Sequence, residues 1–153
     1  MLISFTLNGK KIEDAVSPDQ PLLEYVREKG CKSVKRGCET SNCGLCTVLM
    51  DGKPVLSCTM LAVRADGHDI ITLEGKQQEA EEIGLFLAKE GAEQCGFCSP
   101  GLIMNIIAMK DELTNPSEDE IREYLSGNLC RCTGYVSQLR AIKAYLVSKE
   151  DCQ

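Results

Sequence analysis

Ten of the 153 residues are cysteine, and these side chains have the most chemistry to offer. Cys38, Cys43, Cys46 and Cys58 form one set, and Cys95, Cys98, Cys130 and Cys132 a second. Cys31 and Cys152 are left over. The start, Met1-Leu-Ile-Ser-Phe-Thr-Leu-Asn-Gly, lacks the charged region of an export signal, so a cytoplasmic setting is expected. Thiols stay reduced there, which excludes a disulfide framework. Thiols serving only as small hydrophobes would be spread along the chain. Two sets of four, each with close pairs, is instead the arithmetic of two four-thiolate metal centres.

The first set opens Cys-x4-Cys-x2-Cys and is completed by Cys58, the plant-type spacing for a [2Fe-2S] cluster. A chain that wraps a compact inorganic core needs small, turn-forming residues between its ligands; Gly37, Ser41, Asn42 and Gly44 supply them. Backbone N–H groups in such a loop can face the sulfurs and raise the cluster's potential. A zinc site is the competing reading of a Cys-x2-Cys pair, and the x4 spacing weighs against it. The second set reads Gln94-Cys-Gly-Phe-Cys-Ser-Pro-Gly101 and Gly127-Asn-Leu-Cys-Arg-Cys-Thr-Gly-Tyr135. Its Cys-x-Cys pair is too tight for a usual zinc knuckle. Both pairs precede helical stretches, whose N-termini would present partial positive charge to an anionic centre.

These ligands need a scaffold. Ile3, Phe5 and Leu7 alternate with polar residues, Asn8-Gly9 makes a two-residue turn, and Ile12 lies on the return strand. Pro18 and Pro21 mark a loop before a short helix bearing Leu22, Leu23 and Val26 and ended by Gly30. Thr47 to Met50, Asp51-Gly52 and Lys53 to Leu56 predict a second hairpin, with a further strand from Ile70 to Leu73. From Glu74 the apolar period changes from 2 to 3.6, which predicts a boundary near Gly75 and four helices beyond it. Ile83 and Leu87 mark the first, and Leu102, Ile103, Ile106, Ile107 and Met109 a second that must be well buried. Ser99 is read as the cap of that second helix, with Pro100 in its first turn. Ser117 with Glu120 predicts a capping box on the third, and Val136, Leu139, Ile142, Tyr145 and Leu146 mark the fourth. The helices read as two pairs, each with a shorter and a longer member and a cysteine doublet before the longer. The fold class is α+β.

Composition removes other functions. With 17 Lys+Arg against 23 Asp+Glu the net charge is −6, and aromatics are only 5%, so no nucleic-acid partner is expected. Two bound clusters would bring the charge to about −10. No apolar run is long enough to span a bilayer. No acid–base pair, triad or phosphate loop remains once the thiols are assigned, so no substrate-transforming catalytic residue is expected on this chain.

Ser33-Val-Lys-Arg-Gly37-Cys38, Cys43-Gly-Leu-Cys46 and the two long motifs of the second set together resemble the small iron–sulfur subunit of the molybdenum hydroxylases, the xanthine dehydrogenase and aldehyde oxidoreductase family. The resemblance spans nearly the whole chain. It implies a ferredoxin-like β-grasp domain over residues 1–75 and an all-α four-helix bundle domain over 76–153, each holding one [2Fe-2S] cluster. It implies that the cluster on Cys95, Cys98, Cys130 and Cys132 lies nearest the molybdopterin of a large subunit, with Gln94 and Cys132 against the pterin. The cluster on Cys38, Cys43, Cys46 and Cys58 then faces the FAD of a medium subunit. The chain would relay electrons from molybdenum to FAD within a hetero-oligomer acting on a xanthine-type N-heterocycle or an aldehyde. Thr40-Ser41 stands where the family usually has Glu-Gly, and Ser99 where it usually has Thr.

Other residues read more plainly. His68 is a surface-loop side chain, Cys31 a buried thiol, Cys152 part of a frayed terminus, and Met104 and Met109 core. Glu79 to Glu82, with Glu90 and Glu93, form a solvated face. Gln94, without the resemblance, is equally a loop-stabilising amide. Arg131 is placed to pair with a partner carboxylate or with cluster charge. The competing functions are a free-standing ferredoxin shuttle and a zinc-stabilised interaction module. The apolar second helix, taken with the resemblance, favours burial against partners over the shuttle.

Overall fold

The computed structural model describes residues 1–150; Cys152 lies outside them. Strand β1 (Leu2–Leu7) turns through Asn8 and Gly9, with φ of 51° and 77°, into β2 (Lys10–Ala15). Alternation buries Ile3, Phe5 and Leu7 on one face of β1, where helix α1 (Leu22–Glu28) lays Leu22, Leu23 and Val26. Gly30, at φ 98°, ends the helix as expected. The second hairpin is β3 (Thr47–Met50) and β4 (Lys53–Leu56), joined by Asp51 and Gly52 at φ 51° and 81°.

Strand β5 (Asp69–Ile71) completes a mixed sheet of order β2-β1-β5-β3-β4, with β1 and β5 parallel and the other pairs antiparallel. The strand expected over 70–73 starts one residue earlier and ends two residues sooner. Asn8 is the cause. Its Oδ1 accepts the Thr72 N–H at 2.8 Å, which ends the ladder, and Leu73 then opens a short 3-10 turn and packs against the helices.

Helices α2 (Gln77–Lys89), α3 (Ser99–Glu112), α4 (Glu118–Tyr124) and α5 (Val136–Glu150) follow, with no strand among the described residues beyond Ile71. Their core is Ile83, Leu87, Leu102, Ile106, Ile107, Met109, Ile121, Ile142 and Tyr145. Met104 and Met109 are core, at 1% and 0% exposed. Only the second pair has a shorter and a longer member, since α2 and α3 have 13 and 14 residues and α4 and α5 have 7 and 15. The Ser117–Glu120 capping box is present.

Two expectations about α3 need correction. Its N-cap is Cys98, because the Ser99 hydroxyl is taken by the Glu93 carboxylate. Its apolar surface is covered within this chain, by β3, β4 and α2, so it offers no argument for a partner. The acidic face is also more tied than expected: Glu79 bonds Lys76 and Lys110, Glu82 pairs with Lys149, and Glu90 with Arg140.

Strand β3 joins the two cores. Val48 points to the α1 side and Leu49 to the helical side, and both are buried. At one end of the strand two glycines, Gly44 and Gly101, allow backbone to touch backbone. A Cβ on Gly101 would collide with the Gly44 carbonyl and lie 3.0 Å from Leu45 Cα; one on Gly44 would meet Gly127 O and Asn128 Nδ2. Asn105 braces the contact, donating to Thr47 Oγ1 at 3.1 Å while Thr47 Oγ1 donates to Gly44 O at 2.8 Å. No helix among the described residues is long and apolar enough to cross a membrane.

Gly101→Ala should therefore cost about 2–3 kcal/mol in chemical denaturation, because the obstacle is backbone that cannot rotate away. Gly84→Ala, in the α2 interior with open space around it, should gain about 0.5–1 kcal/mol.

Candidate metal centres

The first set sits on the loop between α1 and β3, with Cys58 arriving from beyond β4. The loop curls because Ser41 and Gly44 take φ of 62° and 72°. Ser41 thus adopts the left-handed conformation that glycine accepts freely, so the departure from Gly leaves the turn in place at a steric cost of about 1–2 kcal/mol. A Cβ on Gly37 would press on Leu45 Cδ2 at 2.6 Å and Cys43 Sγ at 3.2 Å, so the leucine side chain would have to shift to admit one.

The thiols are neighbours in pairs. Cys38 interacts with Cys43, and Cys46 with Cys58. The backbone N–H groups of Thr40 and Asn42 pull the Cys38 thiol down to about 6. Burial, followed by the Cys46 thiol, pushes Cys58 up to about 12, and burial also raises Cys43.

The second set lies where α3 and α5 begin. Cys132 and Cys95 sulfurs are 3.6 Å apart at the surface, and Cys98 and Cys130 form a less exposed pair beneath them. Burial raises Cys130, but the Thr133 hydroxyl at 3.2 Å and the N–H groups of Thr133 and Cys132 outweigh it and bring the thiol to about 7. Cys98 is pushed up to about 11, mainly by burial. The Phe97 N–H lowers Cys95, and Cys95 in turn raises Cys132. Tyr135, at φ 71°, accepts the Cys130 N–H on its hydroxyl at 3.0 Å and so pins the Cys-Arg-Cys turn. Gln94 donates to the Cys132 carbonyl at 3.4 Å, so it does stabilise this loop, beside the exposed Cys95–Cys132 edge.

Among the described residues no three Cys, His, Asp or Glu side chains converge as a single-ion site would require. The thiols come as two pairs per set, with backbone N–H groups facing them, and a two-iron cluster takes two thiolates on each iron. The residues fit that group and fit zinc poorly. Cys38 in the first set, and Cys95 and Cys130 in the second, are thiols held below their ordinary range, as ligation by thiolate requires.

The two sets adjoin. Cys38 and Cys43 from one, and Cys95, Cys98, Cys130 and Cys132 from the other, line a single cavity of about 420 Å³. The Leu129 N–H donates to the Cys43 carbonyl at 2.9 Å, so a cysteine of the first set is one hydrogen bond from the residue before Cys130.

The remaining candidates lie where expected or are tied down. His68 is at the surface, with Nδ1 2.6 Å from Asp51 Oδ2. Cys31 is buried, takes a bond from Asn8 Nδ2 at 3.5 Å, and has its thiol raised by burial. Arg131 is exposed. Sequence reasoning missed Thr133, Tyr135 and Gln138 as supports of the second set. The signals available were a hydroxyl three residues after a ligand, and a Gln in helical phase with Ala141, Ile142 and Tyr145.

Residues 5–70 match the 2Fe-2S iron–sulfur cluster binding domain and residues 72–143 the [2Fe-2S] binding domain. The nicotinate dehydrogenase small FeS subunit of Eubacterium barkeri is 43% identical over 151 residues, covering 96% of this chain and 95% of that protein. The xanthine dehydrogenase iron–sulfur-binding subunit of Escherichia coli O157:H7 is 48% identical over 140 residues, 87% of this chain and 86% of that one. In the crystal structure of quinoline 2-oxidoreductase from Pseudomonas putida 86, a chain 41% identical superposes with a TM-score of 0.89 over 99% of this chain and 96% of its own length.

Thr133→Val removes the hydroxyl from Cys130 and should shift the one-electron equilibrium of the second centre toward the oxidised form by about tenfold, read by EPR-monitored redox titration. Ser41→Gly should keep the first centre loaded and leave stability unchanged or raised by up to about 1 kcal/mol in thermal denaturation.

Proposed function

The chain belongs to the small [2Fe-2S] subunits of the molybdenum hydroxylase family, and we propose that it relays electrons from the molybdenum site of a large subunit to the FAD of a medium subunit. It carries two [2Fe-2S] clusters, with molybdenum and FAD on partner chains. Each cluster, when bound, supplies a one-electron couple. The assigned ligands are Cys38, Cys43, Cys46 and Cys58 for the first and Cys95, Cys98, Cys130 and Cys132 for the second.

The observation that carries this reading is the Leu129 N–H to Cys43 carbonyl bond, which ties the two ligand loops together. The chain's own work is then to fix the separation of the two centres and to present one end of each to a different partner. Gln94 and Cys132, at the exposed edge of the second set, are the residues proposed to lie against the pterin. Phe97, Leu129, Tyr135 and Val136, which are 47%, 48%, 45% and 63% exposed, are apolar side chains close to that edge. They support a covering subunit better than a free shuttle, which would leave them in water. The division proposed is a β-grasp unit over 1–75 and a four-helix bundle over 76–153. A cytoplasmic setting is proposed with it, since thiols kept for cluster ligation stay reduced there.

For the substrate, the named relatives act on nicotinate, xanthine and quinoline by their titles, all nitrogen heterocycles. These are 41–48% identical to this chain, against 31% and 33% for two aldehyde oxidoreductases that superpose on it equally well, so an N-heterocycle is proposed over an aldehyde, the choice being made by atoms of the large subunit.

Expression with the neighbouring reading frames should yield a coloured complex with about four iron and four acid-labile sulfide per copy of this chain and two distinct EPR signals on reduction. One signal or none overturns the two-cluster relay, and zinc in their place selects the interaction module. Purification as a lone monomer with both clusters selects the shuttle.

A further inference from the structure

Gln138 is an amide placed where the fold has little use for one. It lies in the first turn of α5, only 6% exposed, on the face that Ala141, Ile142 and Tyr145 turn to the core. A buried amide without partners costs about 1–3 kcal/mol, so its bond matters. That bond is to a thiol: Nε2 lies 3.9 Å from Cys98 Sγ, at the long end for N–H···S. With the amide turned over, its carbonyl oxygen would face a thiolate, so the NH2 side is the one that faces sulfur.

We propose that Gln138 is a positioning residue for the second centre, its amide donating to the Cys98 sulfur and making the reduced form of that centre easier to reach. The proposal deepens the relay reading and rests on Cys98 being a ligand of the second cluster. Reduction adds one electron, delivered by the partner subunit's redox group, and makes or breaks no bond in this chain. The added negative charge is shared by the thiolates, so an N–H dipole aimed at one of them stabilises the reduced form more than the oxidised form. Cys98 and Cys130 are the less exposed pair of the set, where such a dipole is less screened than at the Cys95–Cys132 edge. Thr133 serves Cys130 with its hydroxyl at 3.2 Å, and Gln138 serves Cys98. The two side chains come from the turn before α5 and from its first turn. A single helix start therefore supplies one donor to each sulfur of the inner pair. The amide does not titrate, so its contribution is a fixed dipole at every working pH.

The test is an EPR-monitored redox titration of the complex as purified, comparing the wild type with Gln138→Leu and Gln138→Met. Both variants keep the packing volume and remove the donor. The signal that Thr133→Val moves should shift toward the oxidised form by threefold to tenfold, tenfold being 59 mV for one electron. The other signal should stay where it is. A shift below threefold, or an equal shift of both signals, overturns the proposal. So does loss of the second signal in both variants while circular dichroism shows a folded chain, since Gln138 would then be needed to load the centre and not to set its potential. A wild type with no second signal would instead fail the ligand assignment, a different outcome from any of these.

Discussion

The structure depends on one close approach of backbone to backbone. The Gly44 peptide, between Cys43 and Cys46 of the first thiol set, is held between Gly101 at the start of α3 and the Gly127–Asn128 stretch before Cys130. No side chain fits at positions 44 or 101, and the neighbouring atoms are largely main chain, which cannot move aside as a rotamer can. This contact lets the Leu129 N–H reach the Cys43 carbonyl, and it fixes where α3 lies on the sheet. The buried Asn105–Thr47–Gly44 chain of hydrogen bonds then sets the register of helix against loop. In this arrangement the spacing of the two centres is a property of the fold.

How much of this was legible in the residues follows from how local each feature is. Both two-residue turns, the end of α1 and the Ser117–Glu120 box are governed by neighbours within a few positions, and they stand as read. Features decided by distant partners did not. Ser99 has the chemistry of a cap, but Glu93 claims its hydroxyl and Cys98 takes the position. Leu73 has the pattern of a strand, but Asn8 ends the ladder from the far side of a hairpin. The burial of α3 was plain from its apolar circumference; that β3 covers it was not, because both faces of a four-residue strand read simply as apolar. Ser41 shows the limit in the other direction: the missing glycine was visible, but the turn's persistence at φ 62° was not.

The two sets solve one electrostatic problem in different ways. In the first, backbone N–H groups of a tight loop converge on Cys38, so the donors are part of the loop's shape. In the second, the N–H groups of Phe97, Thr133 and Cys132 are joined by side chains: Tyr135 holds the Cys130 N–H, Thr133 its sulfur, and Gln138 the sulfur of Cys98. A loop of main-chain donors is hard to adjust without unmaking it, whereas a side-chain donor can be exchanged singly. The second centre is thus the one whose properties a single substitution can change while its cysteines stay the same.

Strand β3 has a consequence that reaches past either centre. Val48 faces one core and Leu49 the other, so a four-residue segment is a wall common to both halves. Cutting the chain at the change of periodicity would separate two stretches of sequence but would also strip the cover from α3, whose residues Leu102 to Met109 are all buried. The helical half released in this way would expose an oily strip and clump. The break that looks natural along the chain is therefore no place to divide the molecule, and the two halves are bound to melt as one.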